Sequence, residues 1–179
     1  MTKANPTPLL AQPLLGQLGL SRNYCVVEAP FGRLGISTDF VDGSLMVTGV
    51  EYLSKKAPLS APKNALAKET VRQIKQYFKN PACTFDLPLK PFGTAHQQKV
   101  WHAVRQVAVG STMTYGALAK QVKSGPRAVG GACGVNPYPL IVPCHRIVSA
   151  QGVGGFMKEN TVGFYREIKT WLLSHEGAV

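Results

Sequence analysis

The sequence predicts an α/β protein of the α+β kind. A small N-terminal antiparallel sheet with one helix precedes a mostly helical C-terminal domain that contains a helix-turn-helix. Three observations support this: strand-like alternation near the N-terminus, helical spacing of apolar residues farther along, and a Gly-Pro joint between two short helical segments. The chain has 179 residues, of which 45% are apolar, so it can bury the cores of two small domains.

The predicted N-terminal domain spans residues 22–90 and follows a Pro- and Leu-rich arm, residues 1–21, that we expect to be extended or poorly ordered. Alternation and turn residues predict three strands, at residues 23–29, 34–39 and 44–53. Asn64 is predicted to cap a helix that ends near Lys79, because apolar residues recur at helical spacing and an Asn-Pro pair follows. The Pro-rich segment 84–93 is a plausible linker.

The predicted C-terminal domain spans residues 91–179. Helices are predicted at residues 94–109, 112–122, 127–134 and 161–175. The second and third are short and are separated by a tight joint that contains Gly-Pro. This spacing is typical of a helix-turn-helix.

Positive charge is concentrated in one stretch of the chain. The net charge is +11, and residues 87–158 contain no Asp or Glu. The same stretch contains these basic residues: Lys90, Lys99, Arg105, Lys120, Lys123, Arg127, Arg146 and Lys158. Net charge alone fits a nucleic acid, an acidic membrane surface or an acidic protein. Chance in a chain with few acids is one explanation of the acid-free stretch, and a surface that meets phosphates is the better one.

Cysteine usage and hydropathy indicate a reducing intracellular compartment. The four cysteines form no Cys-x-x-Cys pair, no secretory signal is visible, and no apolar run has the length of a membrane span. Cys25, Cys83, His96 and His102 are conceivable zinc ligands, but their spacing does not support a site. We therefore expect no metal and no other cofactor.

A nucleophilic thiol is predicted in the segment 139–148. Cys144 stands next to His145 and Arg146, between two short apolar runs. A base and a cation beside a thiol both favour the thiolate, which is its nucleophilic form. A third group must orient the histidine, and Glu176 is the most interesting of the few acids after Leu87, with an ordinary frayed helix end as the alternative interpretation. A buried structural cysteine is the competing interpretation.

The segment 127–134 is unusual for a helix that reads bases, because Arg127 is followed mainly by small residues. Such a helix can approach a minor groove closely, with Arg127 as the one long side chain able to enter the base stack. Close packing of the helix against the core is the alternative. Asn136-Pro137 then forms a stiff turn, in which Asn136 hydrogen-bonds across the turn or is simply a turn former.

Several motifs occur together between residues 92 and 177. In chain order they are Tyr115-Gly116-x-Leu118-Ala119, Arg127-Ala128-Val129-Gly130-Gly131-Ala132, Asn136-Pro137, Val142-Pro143-Cys144-His145-Arg146-Ile147 and Trp171-Leu172-Leu173-Ser174-His175-Glu176-Gly177. In combination and order they resemble the O6-alkylguanine-DNA alkyltransferases. The N-terminal part resembles that family only in general plan. The resemblance implies a ribonuclease H-like N-terminal domain and a winged-helix-like C-terminal domain.

The resemblance implies an alkyl transfer that each molecule performs once. Cys144 is then the alkyl acceptor, and His145 takes its proton through a water. Glu176 orients His145, and Asn136 braces the turn that carries the cysteine. Tyr115 helps to rotate the target nucleotide out of the duplex and donates a proton toward the leaving guanine. The thioether product has no easy route back to the thiol.

The resemblance also implies a partner, which is double-stranded DNA that contains alkylated guanine, with O4-alkylthymine as a further candidate substrate. Tyr115, Arg127, Ala128 and Gly131 would contact the DNA from the minor groove, and Arg127 would fill the vacated place in the stack. The implied protein is a monomer without a cofactor. It acts in the cytoplasm, associated with the nucleoid in a bacterium, or in the nucleus of a eukaryote.

One segment departs from the family pattern. Phe156 stands where the family usually has tyrosine, Met157 takes a position that is often small, and the stretch before the last motif is several residues longer. We predict a substrate pocket formed by Pro139, Ile147, Phe156 and Met157, with the last two as an apolar wall. A surface loop with two apolar side chains inserted into the core is the alternative.

Two other classes of function remain open. A DNA-binding protein that recognises alkylated guanine without chemistry would not need Cys144, His145 and Glu176 together. A thiol hydrolase or protease would use the Cys-His pair and turn over, but it gives no reason for the helix-turn-helix or for the acid-free stretch.

Overall fold

The computed structural model describes residues 23–157 and 163–179. The predicted N-terminal arm, residues 1–21, lies outside the described residues. The described chain has the predicted fold class, with an antiparallel sheet and one helix followed by a mostly helical second half. Within these residues, no helix combines the length and the apolarity that crossing a bilayer requires.

The N-terminal sheet has three antiparallel strands in chain order: β1 (Tyr24–Ala29), β2 (Gly32–Val41) and β3 (Ser44–Leu53). The turn between β2 and β3 consists of Asp42 and Gly43, both in the left-handed region at φ 49° and 80°. That conformation matches the twist of a two-residue hairpin, which is why Asp-Gly predicts one. β2 is longer than predicted at both ends, because each end pairs with a neighbouring strand.

The helix α1 (Ala65–Lys79) packs against this sheet and has the predicted bounds. The Asn64 side chain accepts a hydrogen bond from the Ala67 N–H at 2.8 Å, which satisfies one of the free donors of the first turn. The buried face of the helix consists of Ala67, Thr70, Val71, Gln73, Ile74 and Tyr77.

The second half contains α2 (Ala95–Arg105), α3 (Tyr115–Gln121), α4 (Pro126–Gly134) and α5 (Phe164–His175). Two short strands, β4 (Met113–Thr114) and β5 (Ile147–Val148), form a parallel pair, and Cys144–Arg146 forms a 3-10 turn. The helix-turn-helix is therefore α3 and α4, joined by residues 122–125.

Three predicted helix bounds need correction. α2 ends at Arg105 rather than near residue 109, because the N–H groups of Gln106 and Val107 bond to carbonyls three residues back, in a tighter turn. α3 begins at Tyr115 rather than at residue 112, because Met113–Thr114 pairs with β5 and the Thr114 side chain caps the helix. α5 begins at Phe164, whereas the prediction began at residue 161, which lies outside the described residues.

The two halves are joined by hydrogen bonds and by aromatic packing. In the predicted linker, Lys90 N–H donates to Val47 O at 2.9 Å, and Lys90 O accepts from Tyr138 Oη at 2.6 Å. Phe31 of the N-terminal half lies 5.4 Å from the Tyr52 ring and 5.3 Å from the Trp171 ring of α5, centroid to centroid. Edge-to-face contacts of this kind add to the stabilisation from burial. The sheet therefore packs directly beneath the C-terminal motifs.

Candidate active site

Cys144 begins the 3-10 turn and is only 3% exposed. The Asn136 amide Nδ2 donates to Val142 O at 2.8 Å and to the Cys144 Sγ at 3.4 Å, while its Oδ1 accepts from the Tyr138 N–H at 2.9 Å. One buried side chain therefore ties together both sides of the turn and reaches the sulfur. The Val50 N–H of β3 donates to Pro137 O at 2.9 Å, so the N-terminal sheet supports this turn from below.

His145 and Glu176 form a fully buried pair, with the His145 Nε2 2.9 Å from the Glu176 Oε1. Glu176 directly follows α5, and it also accepts hydrogen bonds from Arg146 Nε at 2.8 Å and from Arg146 Nη2 at 3.0 Å. Burial raises the pKa of Glu176, but the bonds from His145 and Arg146 outweigh it and lower the pKa to about 2. Glu176 is therefore ionised at neutral pH.

Arg146 does not belong to a phosphate-binding surface, and this corrects the interpretation of the acid-free stretch. It is 8% exposed, binds Glu176 and donates from Nη1 to Val107 O at 2.6 Å. No hydrogen bond from its guanidinium reaches the Cys144 sulfur among the described contacts. The cation two positions after the cysteine thus neutralises the Glu176 carboxylate and not the thiolate.

The geometry leaves His145 able to accept a proton. Since ionised Glu176 can only accept, the His145 Nε2 must carry a hydrogen, and the neutral ring then has its lone pair at Nδ1. That Nδ1 has no hydrogen-bond partner among the described protein atoms. Burial lowers the pKa of His145, which keeps the ring neutral at physiological pH.

The Cys144 thiol is held in its neutral form at rest. The hydrogen bond to the neighbouring Cys133 thiol and then burial raise the pKa of Cys144, while Asn136 and Lys169 act in the opposite direction. The pKa of Cys133 is lowered by its contact with Cys144. The expectation that adjacent charges alone favour the thiolate is therefore incomplete, because the thiol must pass its proton to a base to become nucleophilic.

Lys169 is a site residue that the sequence analysis missed. The side chain is fully buried, and its Nζ donates to Ile147 O at 2.6 Å and to Gly155 O at 3.0 Å. It lies 5.6 Å from the Tyr115 ring centroid and 5.7 Å from that of Phe156. Burial lowers the pKa of Lys169 to about 8. The available signal was its position one turn before the buried Leu172 and Leu173, on the apolar side of the predicted helix.

A cleft of about 480 Å³ opens between α4 and the segment before residue 158. It is lined by Tyr115, Pro126, Arg127, Gly130, Gly131, Cys133, Gly134, Gly155, Phe156 and Met157. Phe156 is 5% exposed and Met157 is half-buried, and the Tyr115 hydroxyl donates to Gly155 O at 3.1 Å. Pro139 and Ile147 are buried and lie outside this lining.

α4 presents two different faces. Val129, Ala132 and Cys133 are buried, and Ala132 O accepts from the Trp101 indole of α2 at 2.9 Å. The other face exposes Arg127, Ala128 and Gly131. A Cβ added at Gly130 or Gly131 would meet no atom within 4 Å, so packing inside the chain does not require glycine there. Close packing within the described residues thus explains the inner face of α4 and not the small residues of its outer face.

The chain is similar to known proteins over most of its length. Residues 95–178 match the family model described as 6-O-methylguanine DNA methyltransferase, DNA binding domain. A methylated-DNA--protein-cysteine methyltransferase of Methanosarcina acetivorans is 33% identical over 162 residues, which is 87% of this chain and 98% of the relative. The constitutive Bacillus subtilis enzyme of that name is 33% identical over 169 residues, 86% of this chain and 94% of the relative. Mycobacterium tuberculosis OGT in complex with DNA is a structural neighbour, with TM-score 0.68, 32% identity, and coverage of 87% of this chain and 92% of that one.

Proposed function

The chain belongs to the methylated-DNA--protein-cysteine methyltransferase family, and from this premise we propose that it repairs DNA by moving an alkyl group from O6 of guanine to Cys144. The observation that carries the proposal is the convergence of a buried thiol, a neutral histidine and an ionised carboxylate behind it. The Nδ1 of that histidine has no hydrogen-bond partner in the part of the chain that the structure describes. This set lies beside a cleft bounded by the exposed face of α4.

In the proposed reaction the thiol proton passes through a water to the His145 Nδ1, and Glu176 stabilises the imidazolium that results. The sulfur attacks the alkyl carbon in line, a carbon–sulfur bond forms, and the carbon–oxygen bond breaks with its electron pair on the guanine. The guanine takes up one proton, so the sum is thiol plus alkylguanine to thioether plus guanine. Because a thioether has no easy route back to the thiol, each molecule acts once.

Tyr115 is proposed as the group that meets the leaving guanine. Burial raises the pKa of Tyr115, so the hydroxyl stays protonated and remains a hydrogen-bond donor at neutral pH. It now donates to Gly155 O, the same carbonyl that accepts from Lys169. Lys169 can keep that carbonyl satisfied when Tyr115 turns its hydroxyl to the base. This makes Lys169 a positioning residue for the step in which Tyr115 donates to the leaving guanine.

The proposed partner is duplex DNA, entered from the minor groove by α4, with a monomer acting on one lesion. Ala128 and Gly131 allow the backbone to come close to the duplex, and Arg127 at the rim of the cleft fills the place of the flipped base. The target atom lies inside the base stack, so extrusion must precede the chemistry.

Replacing Arg127 with alanine should separate base extrusion from chemistry. We expect the transfer rate from a methylated duplex to fall about tenfold, because no side chain then occupies the place that the flipped base leaves in the stack. The rate with the free methylated nucleobase should stay unchanged. Arg105→Ala is the matched control, since Arg105 is an exposed cation of the same acid-free stretch on α2. Equal losses with both substrates would contradict the role of Arg127.

The proposed substrate pocket has Phe156 and Met157 as its apolar wall, while Pro139 and Ile147 are buried and do not line the described cleft. Met157→Ala should enlarge the cleft. We expect the ratio of benzyl to methyl transfer rates to rise about tenfold, the usual effect of reshaping an apolar pocket. Leu59→Ala, an exposed apolar residue outside the cleft, is the control. An unchanged ratio in Met157→Ala would remove Met157 from the pocket.

Mass spectrometry of the intact protein mixed with a methylated-guanine oligonucleotide tests the proposed function. One methyl group should appear on Cys144, in an amount equal to the protein. Unmodified protein that still binds the oligonucleotide would instead support recognition without transfer. Repeated turnover of a thioester or amide substrate would support the hydrolase.

A further inference from the structure

Two buried tyrosines of the N-terminal half lie beside the candidate active site: Tyr77 hydrogen-bonds Glu176, and the Tyr52 ring packs against Phe156 of the cleft. Tyr77 lies on α1 and is 1% exposed, and Tyr52 lies on β3 and is 4% exposed. Both belong to the half of the chain outside the matched DNA-binding domain, residues 95–178. Their hydroxyl groups are the only polar atoms that these side chains bring to the site, so the position of each hydroxyl is the informative observation.

The Tyr77 hydroxyl donates to the Glu176 Oε1 at 2.7 Å. The same oxygen accepts from the His145 Nε2 at 2.9 Å and from the Arg146 Nη2 at 3.0 Å. Three hydrogen bonds to one buried oxygen fix the position of the carboxylate. Tyr77 is itself fixed, because His175 Nε2 lies 2.9 Å from the Tyr77 backbone carbonyl.

The Tyr52 hydroxyl is buried and has no hydrogen-bond partner among the described protein atoms, which is also true of the His145 Nδ1. A buried hydroxyl without a partner is costly, so such a group calls for a functional reason. The Tyr52 ring lies 5.8 Å from that of Phe156, which lines the cleft, so the side chain lies next to the site. Burial, and then the charges of Cys144 and Glu176, raise the pKa of Tyr52. Ring contacts with Phe31 at 5.4 Å and Phe156 at 5.8 Å hold the side chain in place.

We propose that the N-terminal half completes the proton path of the alkyl-acceptor site through these two tyrosine hydroxyls. Tyr77 is the positioning residue that holds Glu176 against His145. Tyr52 is the positioning residue on the thiol side, where its hydroxyl donates to the developing Cys144 thiolate or to the water that carries the proton to His145 Nδ1. The inference rests on the proposed function. Neither tyrosine gives up its proton, so the thiol proton alone moves, from Sγ to Nδ1.

The direction of the pH effect follows from the groups around the path. Those groups are Tyr52 from β3, Tyr77 from α1, Tyr115 from α3, Cys133 from α4, Cys144, His145 and Arg146 from the 3-10 turn, Lys169 and His175 from α5, and Glu176. Loss of the Tyr52 donor should raise the pKa of the Cys144 thiol further. Loss of the Tyr77 donor concentrates the Glu176 charge on His145 and should raise the pKa of that ring. Both changes move the acid limb of the rate profile to higher pH.

Phenylalanine variants test the proposal, because they keep the rings and remove only the hydroxyls. In Tyr52→Phe and Tyr77→Phe, the single-turnover rate of methyl transfer at neutral pH should fall about fivefold, the scale of one lost hydrogen bond. The acid limb should move up by about half a pH unit. Affinity for the methylated oligonucleotide should not change, since neither side chain reaches the surface.

Tyr24→Phe is the matched control. Tyr24 donates to the Glu51 Oε1 at 2.6 Å in the same sheet, and Glu51 precedes Tyr52 on β3, so the pair lies on the opposite face. This variant loses a tyrosine–carboxylate bond of the same kind, and its pH profile should equal that of the unsubstituted protein. A wild-type profile in both Tyr52→Phe and Tyr77→Phe would overturn the proposal. If Tyr24→Phe shifted the profile as much as these two variants do, the shift would be a general effect of losing a tyrosine hydroxyl, and the proposal would be overturned as well.

Failure of the proposed function has a different signature. If the unsubstituted protein transfers no methyl group, then the function is wrong, and the tyrosines are tested by the alkylation of Cys144 with iodoacetamide as pH is varied. Mass spectrometry of the Cys144 peptide separates it from the other three cysteines, Cys25, Cys83 and Cys133. The same upward shift in the two variants supports the tyrosine roles without DNA, and superimposable profiles reject them.

Discussion

Cys144→Ser should abolish alkyl transfer while leaving DNA binding intact. Serine keeps the size and the Asn136 contact of the buried residue, but an alcohol is a far weaker acid and nucleophile than a thiol. We expect the transfer rate to fall by at least about three orders of magnitude, the scale seen when a nucleophile is removed. The measurement is the mass gain of the protein after incubation with a methylated-guanine duplex.

Cys133→Ser is the informative companion to this variant. Cys133 contacts Cys144 and lines the cleft, so it is the other thiol within reach of a substrate. Peptide mapping should find the methyl group on Cys144 in the wild-type protein and in Cys133→Ser alike. Transfer that persists in Cys144→Ser and disappears in Cys133→Ser would show that Cys133, and not Cys144, is the acceptor.

Glu176→Gln should cause the second largest loss, in rate and in stability together. The amide cannot accept from Tyr77, His145 and both Arg146 donors at once, and it leaves the Arg146 charge buried without its counterion. We expect transfer to slow about a hundredfold, as for the loss of a positioned proton relay. Unpairing a buried charge should lower the free energy of unfolding by about 3 kcal/mol. Single-turnover kinetics and denaturant unfolding measure the two effects.

The same substitution should change how stability depends on pH. The folded-state pKa of Glu176 is depressed from 4.5 to about 2. The stabilisation is therefore complete above pH 4.5 and is lost as pH falls toward 2, because the unfolded chain binds the proton first. Glu176→Gln should remove that part of the acid sensitivity, so its Tm should depend less on pH between about 2 and 4.5 than the Tm of the unsubstituted protein.

Glu69→Gln provides the control for Glu176. Glu69 is also a carboxylate with a lowered pKa, about 2, owing to its hydrogen bonds with Arg72 and Gln73, but it lies on the exposed side of α1. We expect this variant to keep the wild-type transfer rate. If Glu69→Gln slowed transfer as much as Glu176→Gln, then the loss would reflect general destabilisation and not the relay.

The N-terminal fold could be predicted because its signals are local. Alternation marks a strand with one buried face, Asp42-Gly43 adopts the left-handed conformation that a hairpin turn needs, and Asn64 caps the helix that follows it. The bounds near residue 112 could not be predicted. Met113–Thr114 is a strand only because Ile147–Val148 lies beside it, and nothing within the segment encodes that pairing.

The same distinction holds for the site: some of its residues could be predicted from the sequence, and others could be found only in the structure. The motifs of residues 92–177 pointed to Cys144, His145, Asn136 and Glu176, and the structure brings these four together. Lys169, Cys133, Tyr52 and Tyr77 were missed. Each is an ordinary residue of a core-facing strand or helix position, and only its burial beside a polar group makes it part of the site.

By itself, the sequence determined the family, the fold class and the thiol with its adjacent histidine, because these depend on residue identity and on spacing along the chain. Tertiary structure alone decided which charge meets which group. Arg146 is next but one to Cys144 in sequence, yet it neutralises Glu176, and Tyr77 donates to that carboxylate from 99 positions away. Desolvation and hydrogen bonding set the protonation state of a buried group, and both are properties of the folded neighbourhood.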